Sequence, residues 1–183
     1  LSTAYTPSPA EIASGKVTLT LTTTGNNNCK PVSDDIVITI TPAPIVTAGS
    51  DLSSCVNNPS VNLTGTVQNA LGASWSGGLG IFNPSSSSLN ASYIPSSSEI
   101  TAGSVTLTLS STGNGNCIAV SDQMKITITP APITNAGSDL VSCVNNPSVT
   151  LSGFITNATS GTWSGGTGVF NPSESVLNST YVP

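Results

Sequence analysis

One feature constrains the fold of this chain more than any other: it repeats itself after 88 residues. The segment TPAPIVTAGSDLSSCVNNPSVNLTG, from Thr41, returns as TPAPITNAGSDLVSCVNNPSVTLSG from Thr129. The same offset carries Trp75 to Trp163, Cys29 to Cys117, Cys55 to Cys143 and Tyr5 through Tyr93 to Tyr181, without insertion. About three in five of the overlapping positions are identical. The 183 residues therefore amount to two periods and seven residues, and LSTAYTP, LNASYIP and LNSTYVP are the same place seen three times.

Local signals divide the repeats. KVTLTLTTTG and SVTLTLSSTG, then DDIVITITPAP and DQMKITITPAP, alternate apolar residues with Thr or polar ones, the period of a half-buried strand. The Thr-Pro-Ala-Pro that follows stops the ladder, because proline has no N–H to donate and its φ is fixed. Boundaries near Thr41 and Thr129 make 42–129 one complete module, 1–41 the C-terminal part of the module before it, and 130–183 the N-terminal part of the module after it. Within 42–129, strands are expected at 45–48, 52–55, 61–67, 73–76, 80–82, 91–94, 105–110 and 124–129. VNNPS, SGGLG, NPSSSS and TGNGN supply the turns between them. No stretch has a capped helical period. Seven or eight short strands in 88 residues predict an all-β chain of tandem immunoglobulin-like antiparallel sandwiches. Trp75 and Phe82, and in the next copy Trp163 and Phe170, are then core aromatics, with the glycines between each pair forming a hairpin bulge.

Composition removes whole classes of function. Only 6% of residues are charged, histidine and arginine are absent, and Lys16, Lys30 and Lys125 are the only cations. A net charge of -5 leaves nothing to displace the counterions of a phosphate backbone, so nucleic acid is excluded as a main partner. Without imidazole, the usual catalytic triads and most general acid-base chemistry lose their commonest residue, and the expectation is a non-enzymatic protein without a cofactor. A mean hydropathy of +0.18 and abundant Val, Ile and Thr argue against disorder. No run of 18 apolar residues exists to span a membrane.

The order of motifs carries a resemblance. AGSD followed by Cys and P-S-V-x-L-x-G, then W-S-G-G-x-G-x-F, then Y-x-P with E-I-x-x-G-x-V-T-L-T-L, and N-x-C followed by S-D and I-T-I-T, extends over essentially the whole chain. It resembles the PKD-like and Ig-like tandem repeats of very large secreted surface proteins of Bacteroidetes, among them gliding-motility-associated adhesins and other type IX secretion cargo. The resemblance implies an extracellular or cell-surface shaft or filament, a spacer or adhesin, whose partners are further copies of the same repeat and, in some cases, surface polysaccharide. Two other readings stay open: a carbohydrate-binding module array of a secreted hydrolase, with Trp75 or Tyr93 exposed to stack on sugar rings, and an adhesin stiffened by calcium.

Four cysteines, two per period, suit an oxidising compartment if they are paired. Three pairings respect the repeat: Cys55 with Cys117 inside one module, Cys29 with Cys55 and Cys117 with Cys143 across a linker, or Cys55 with the Cys117-type residue of the following module. The first is favoured. Against it, an immunoglobulin-like topology sets Cys55 at the end of the first strand and Cys117 at the start of a parallel last one, towards opposite poles. Free thiols are the remaining option. For calcium, Asp51, Glu99 and Asp122 are the candidate oxygen ligands, although no D-x-D-x-D-G ladder is present and an Asp in a Gly-Ser turn more often closes the turn. Zinc lacks both histidine and a C-x-x-C pair. Asn62, Asn90, Asn157 and Asn178 sit in N-x-S/T sequons, relevant where the host glycosylates them.

The two partial modules cannot close a core alone. Residue 183 corresponds to 95 and to 7, so Ser8 supplies the residue type that follows next. Residues 130–183 of one copy and 8–41 of the next are thus expected to build one module, within a longer continuous polymer or by strand donation between separate chains.

Overall fold

The computed structural model describes residues 3–183; Leu1 and Ser2 of the opening motif lie outside the described residues. Helix α1 (Pro9–Ser14) leads into the hairpin β1 (Lys16–Thr22) and β2 (Ser33–Thr39). The central segment 42–129 holds β3 (Ile45–Thr47), β4 (Leu52–Cys55), β5 (Val61–Asn62), β6 (Thr66–Gln68), β7 (Gly72–Ser76), β8 (Ile81–Asn83), β9 (Ser92–Ile94), helix α2 (Ser97–Ala102), β10 (Ser104–Thr112) and β11 (Ser121–Thr129). The last segment has β12 (Ile133–Asn135), β13 (Val149–Thr150), β14 (Phe154–Thr156), β15 (Val169–Asn171) and β16 (Thr180–Val182).

In the central segment one layer is a four-stranded sheet in the order β4-β11-β10-β7, with β4 parallel to β11 and the other pairs antiparallel. The second layer is made of β3-β6 and β5-β9-β8. The fold is an all-β, immunoglobulin-like sandwich. Alternation explains its inner faces: Val105, Leu107 and Leu109 on β10, and Met124, Ile126 and Ile128 on β11, point inward while the intervening Thr, Lys and Gln face out. Every residue of the buried core lies between Ala48 and Ile128. Trp75, 2% exposed, packs at its centre, its Nε1–H donating to the Leu89 carbonyl at 3.2 Å. Phe82 is half-buried against the same core and lies 4.8 Å, centroid to centroid, from Tyr93.

Three local expectations are corrected. The run 61–67 is two strands, because Leu63 and Gly65 follow the loop carbonyls of Ala91 and Leu89 before β6 turns to pair with β3. Trp75 and Phe82 do not bracket a hairpin: β7 belongs to the four-stranded sheet and β8 to the opposite layer, so the glycine turn between them crosses the sandwich. Two short helices exist where none is expected. Each is six residues long, too short for periodicity to register, but each begins with a Ser-x-x-Glu capping box and ends on a left-handed glycine, Gly15 or Gly103.

The flanking segments divide the same sandwich between them. Hairpin β1-β2 repeats the register of β10-β11, Leu19 opposite Ile36 as Leu107 is opposite Met124. Residues 130–183 repeat the other layer, β12-β14 for β3-β6 and β13-β16-β15 for β5-β9-β8. The stretches corresponding to β4 and β7 are not strands there, since the sheet they would join is missing.

Candidate functional site

The chemistry-bearing residues fall at three places: a buried carboxylate beneath the glycine turn, the open inner faces of the flanking segments, and the linkers.

Glu99 is 7% exposed. As third residue of α2 its Oε2 accepts from the Ser96 N–H at 2.7 Å and the Ser96 hydroxyl at 2.8 Å, while Oε1 accepts from the Leu79 N–H at 2.7 Å. The Tyr93 hydroxyl donates to both oxygens, at 2.9 and 3.0 Å, and accepts from the Gly80 N–H at 2.9 Å. Burial pushes the Glu99 carboxyl up, but the N–H donors of Ser96 and Leu79 and the hydroxyls of Ser96 and Tyr93 outweigh it and hold the group below its ordinary value. Burial, and then the bond to Glu99, push the Tyr93 phenol up to about 12. The turn above has no room for a side chain at Gly78, where φ is +75° and a Cβ would meet the Tyr93 hydroxyl and Glu99. Glu99 is thus a helix cap and a clamp on the turn.

The other two calcium candidates are also committed to backbone donors. Asp51 Oδ1 accepts from the Lys125 N–H at 2.8 Å and Asp122 Oδ2 from the Ala48 N–H at 2.9 Å. Asp51, Glu99 and Asp122 are not brought together, and among the described residues no three His, Cys, Asp or Glu side chains form a metal cluster. Trp75 and Tyr93 are both buried, so neither is a platform for a sugar ring.

The flanking segments present the same inner faces uncovered. Leu109 is fully buried, whereas Leu21, its counterpart on β1, is 73% exposed. In the central core a Cβ at Gly65 would meet Leu109 Cδ2 at 2.6 Å and Trp75 Cζ2 at 2.9 Å; at Gly153, its counterpart, it would meet the Trp163 ring and the Leu177 carbonyl, with nothing in the place of the Leu109 side chain. A cavity of about 230 Å³ lies there, lined by Gly153, Phe154, Ile155, Gly161, Trp163 and Leu177. Trp163 keeps its bond to the Leu177 carbonyl, 3.1 Å, but it and Phe170 are only half-buried. A second opening borders Gly166 and Tyr181, where Glu99 would sit in the complete sandwich.

All four cysteines are free, so the favoured bond between Cys55 and Cys117 is not formed. Cys55 pairs in register with Thr129, at the end of β11, while Cys117 precedes the start of that strand at Ser121. Eight residues of extended chain, about 25 Å, part the two ends. Each sulfur lies instead at a linker: Cys117 Sγ is 3.4 Å from Thr41 Oγ1 and 3.7 Å from the Pro42 carbonyl oxygen, and Cys55 Sγ is 3.7 Å from the Pro130 carbonyl oxygen. Cys29 and Cys143 are exposed.

Comparison with known proteins finds no matching family model and no matching curated protein. Among solved structures the chain is similar to a protocadherin gammaB7 EC3-6 cis-dimer structure, at 13% identity and a TM-score of 0.40, over 93% of this chain and 52% of that one. It is also similar to extracellular cadherin domains 1-5 of protocadherin Gamma B2, at 13% identity and a TM-score of 0.37, over 94% of this chain and 39% of that one. The chain spans about half or less of the length of these structures. No helix among the described residues is long and apolar enough to cross a membrane.

Proposed function

We propose that this chain is a non-enzymatic shaft of tandem immunoglobulin-like modules, a spacer or adhesin outside the cell, whose working partners are further copies of its own repeat. One observation carries the reading: the two flanking segments are the two separated layers of the sandwich that the central segment closes. The hairpin of 8–41 offers the apolar face of β10-β11, and 130–183 offers the layer and the cavity that such a face fills. The polar groups match as well. Asp34, counterpart of Asp122, would accept from the N–H of Ala136 as Asp122 does from Ala48, and Asp139 would accept from the N–H of Val37 as Asp51 does from Lys125. Glu11, already capping α1, would take the position beneath Gly166 that Glu99 holds beneath Gly78.

A linear array of this kind keeps a constant 88-residue step. Its hydroxyl-rich surface carries little charge, which suits a stalk exposed to changing surroundings. The motif resemblance to giant secreted surface repeats of gliding bacteria, and to their type IX export route, supports the same reading.

The test uses the purified chain under reducing conditions. Light scattering is expected to show reversible head-to-tail growth with concentration, accompanied by a blue shift of Trp163 fluorescence in a Trp75→Phe background as its ring is covered. A chain that stays monomeric at high concentration, with Trp163 emission unchanged, overturns the reading.

A further inference from the structure

The linker geometry contains more than either free thiol does alone. Pro42 and Pro130 are the same position one period apart. Beside Pro42 stands the thiol of Cys117, from the module that follows that linker; beside Pro130 stands the thiol of Cys55, from the module that precedes that one. Shifting the Pro42 arrangement by one period puts both types of sulfur within 3.7 Å of a single proline carbonyl, hence within twice that distance of each other. The threonine before the proline faces both sides too. Thr41 Oγ1 lies 3.4 Å from Cys117 Sγ, and Thr129 Oγ1 donates to the Ser54 carbonyl at 3.0 Å. The backbone at Cys55 is held to the linker by the Val56 N–H donating to the Thr129 carbonyl at 2.9 Å. Each type of thiol is thus held against the same Thr-Pro dipeptide.

We infer that each Thr-Pro linker of the array is a cross-linking site, at which the Cys55-type thiol of one module and the Cys117-type thiol of the next form a disulfide. The rotation of two side chains closes the remaining gap, whereas a bond within one module would have to cross the length of β11. Two thiols lose two protons and two electrons as the S–S bond forms. The acceptor is an oxidant of the disulfide class, which is reduced to two thiols by exchange. In this pairing the partner of each thiol belongs to the neighbouring module. Such a bond spans the linker, so it would tie each module to the next without touching any core.

The inference rests on the array reading, and the experiment separates the two. The full chain is extended at Pro183 by residues 8–183 of a second copy, which keeps the period unbroken. In the reduced protein, protection of Trp163 from acrylamide quenching reports whether the junction module closes, and an exposed ring there overturns the array and the cross-link together. After oxidation with glutathione disulfide, peptide mapping is expected to find Cys55 bound to Cys29 of the second copy and Cys143 bound to Cys117 of the second copy. The other four thiols stay open to alkylation. In the Cys55→Ser variant the first linked peptide disappears and the second persists. Mapping that finds Cys55 joined to Cys117 of its own copy, or all eight thiols alkylated around a closed junction module, overturns the cross-link and leaves the array standing.

Discussion

Trp75 and Tyr93 divide the work at the residue scale, one filling volume and the other satisfying a buried charge. Trp75→Ala removes a large ring from a core closed on every side, and a loss of about 3–5 kcal/mol is expected in urea unfolding, since the cavity cannot collapse fully. Unchanged stability would mean that the ring is not a core element. Tyr93 and Glu99 give the fold a pH window with two limbs. The Glu99 carboxyl is held below its unfolded value, so its contribution is complete above the ordinary glutamate range and is lost as the pH falls through the lowered folded value. The Tyr93 phenol is pushed up to about 12 from 10.0, so its contribution is complete below pH 10 and is lost as the pH rises towards 12. A Tm profile of Tyr93→Phe is expected to lack part of the alkaline limb, and one of Glu99→Gln part of the acid limb. Profiles that merely shift downward in parallel would show that neither group titrates with folding.

Short elements here are defined by what they contact. Helix α2 has six residues, far below the length at which a helix is stable alone, and its capping box doubles as the clamp on the glycine turn. Ser96→Ala is expected to cost about 1 kcal/mol through the lost cap. Gly78→Ala is expected to cost about 1–3 kcal/mol, because it forces a left-handed φ and drives a methyl into the Tyr93-Glu99 pair. Both are read by chemical denaturation, and a Gly78→Ala protein as stable as the parent would remove the clamp from the account. The contrast between Leu52–Cys55 and its counterpart 140–143 makes the same point. Nearly the same sequence is strand β4 beside β11 and irregular where no such strand lies alongside.

For the whole molecule, the central sandwich is closed and the flanking segments are its two layers held apart. Leu21→Asp is therefore expected to abolish concentration-dependent association, while the unfolding transition of the central segment stays within about 0.5 kcal/mol of the parent, as for a surface substitution remote from the core. Association that persists in this variant would point to contacts other than the apolar face of β1.

Periodicity alone was enough to read the sandwich, its 88-residue step and the inward set of β10 and β11, since alternation and register are local properties that a strand cannot hide. The burial of Trp75 was equally legible. The capping box at Ser96 and Glu99 was present in the sequence as a four-residue signal, but a helix of six residues lacks the period that would have drawn attention to it, and Glu99 stood out only as one of three calcium candidates set against a turn or surface role. What the glycine turn joins, which carboxylate meets which N–H, and where each thiol stands were decided only by the tertiary structure. The Asp and Cys contacts join residues 74 to 76 positions apart and the Glu99 clamp reaches Leu79 across 20, and composition and spacing do not encode which pole of a sandwich a residue reaches. The parallel pairing of β4 with β11 makes that choice, sending Cys55 to one linker and Cys117 to the other.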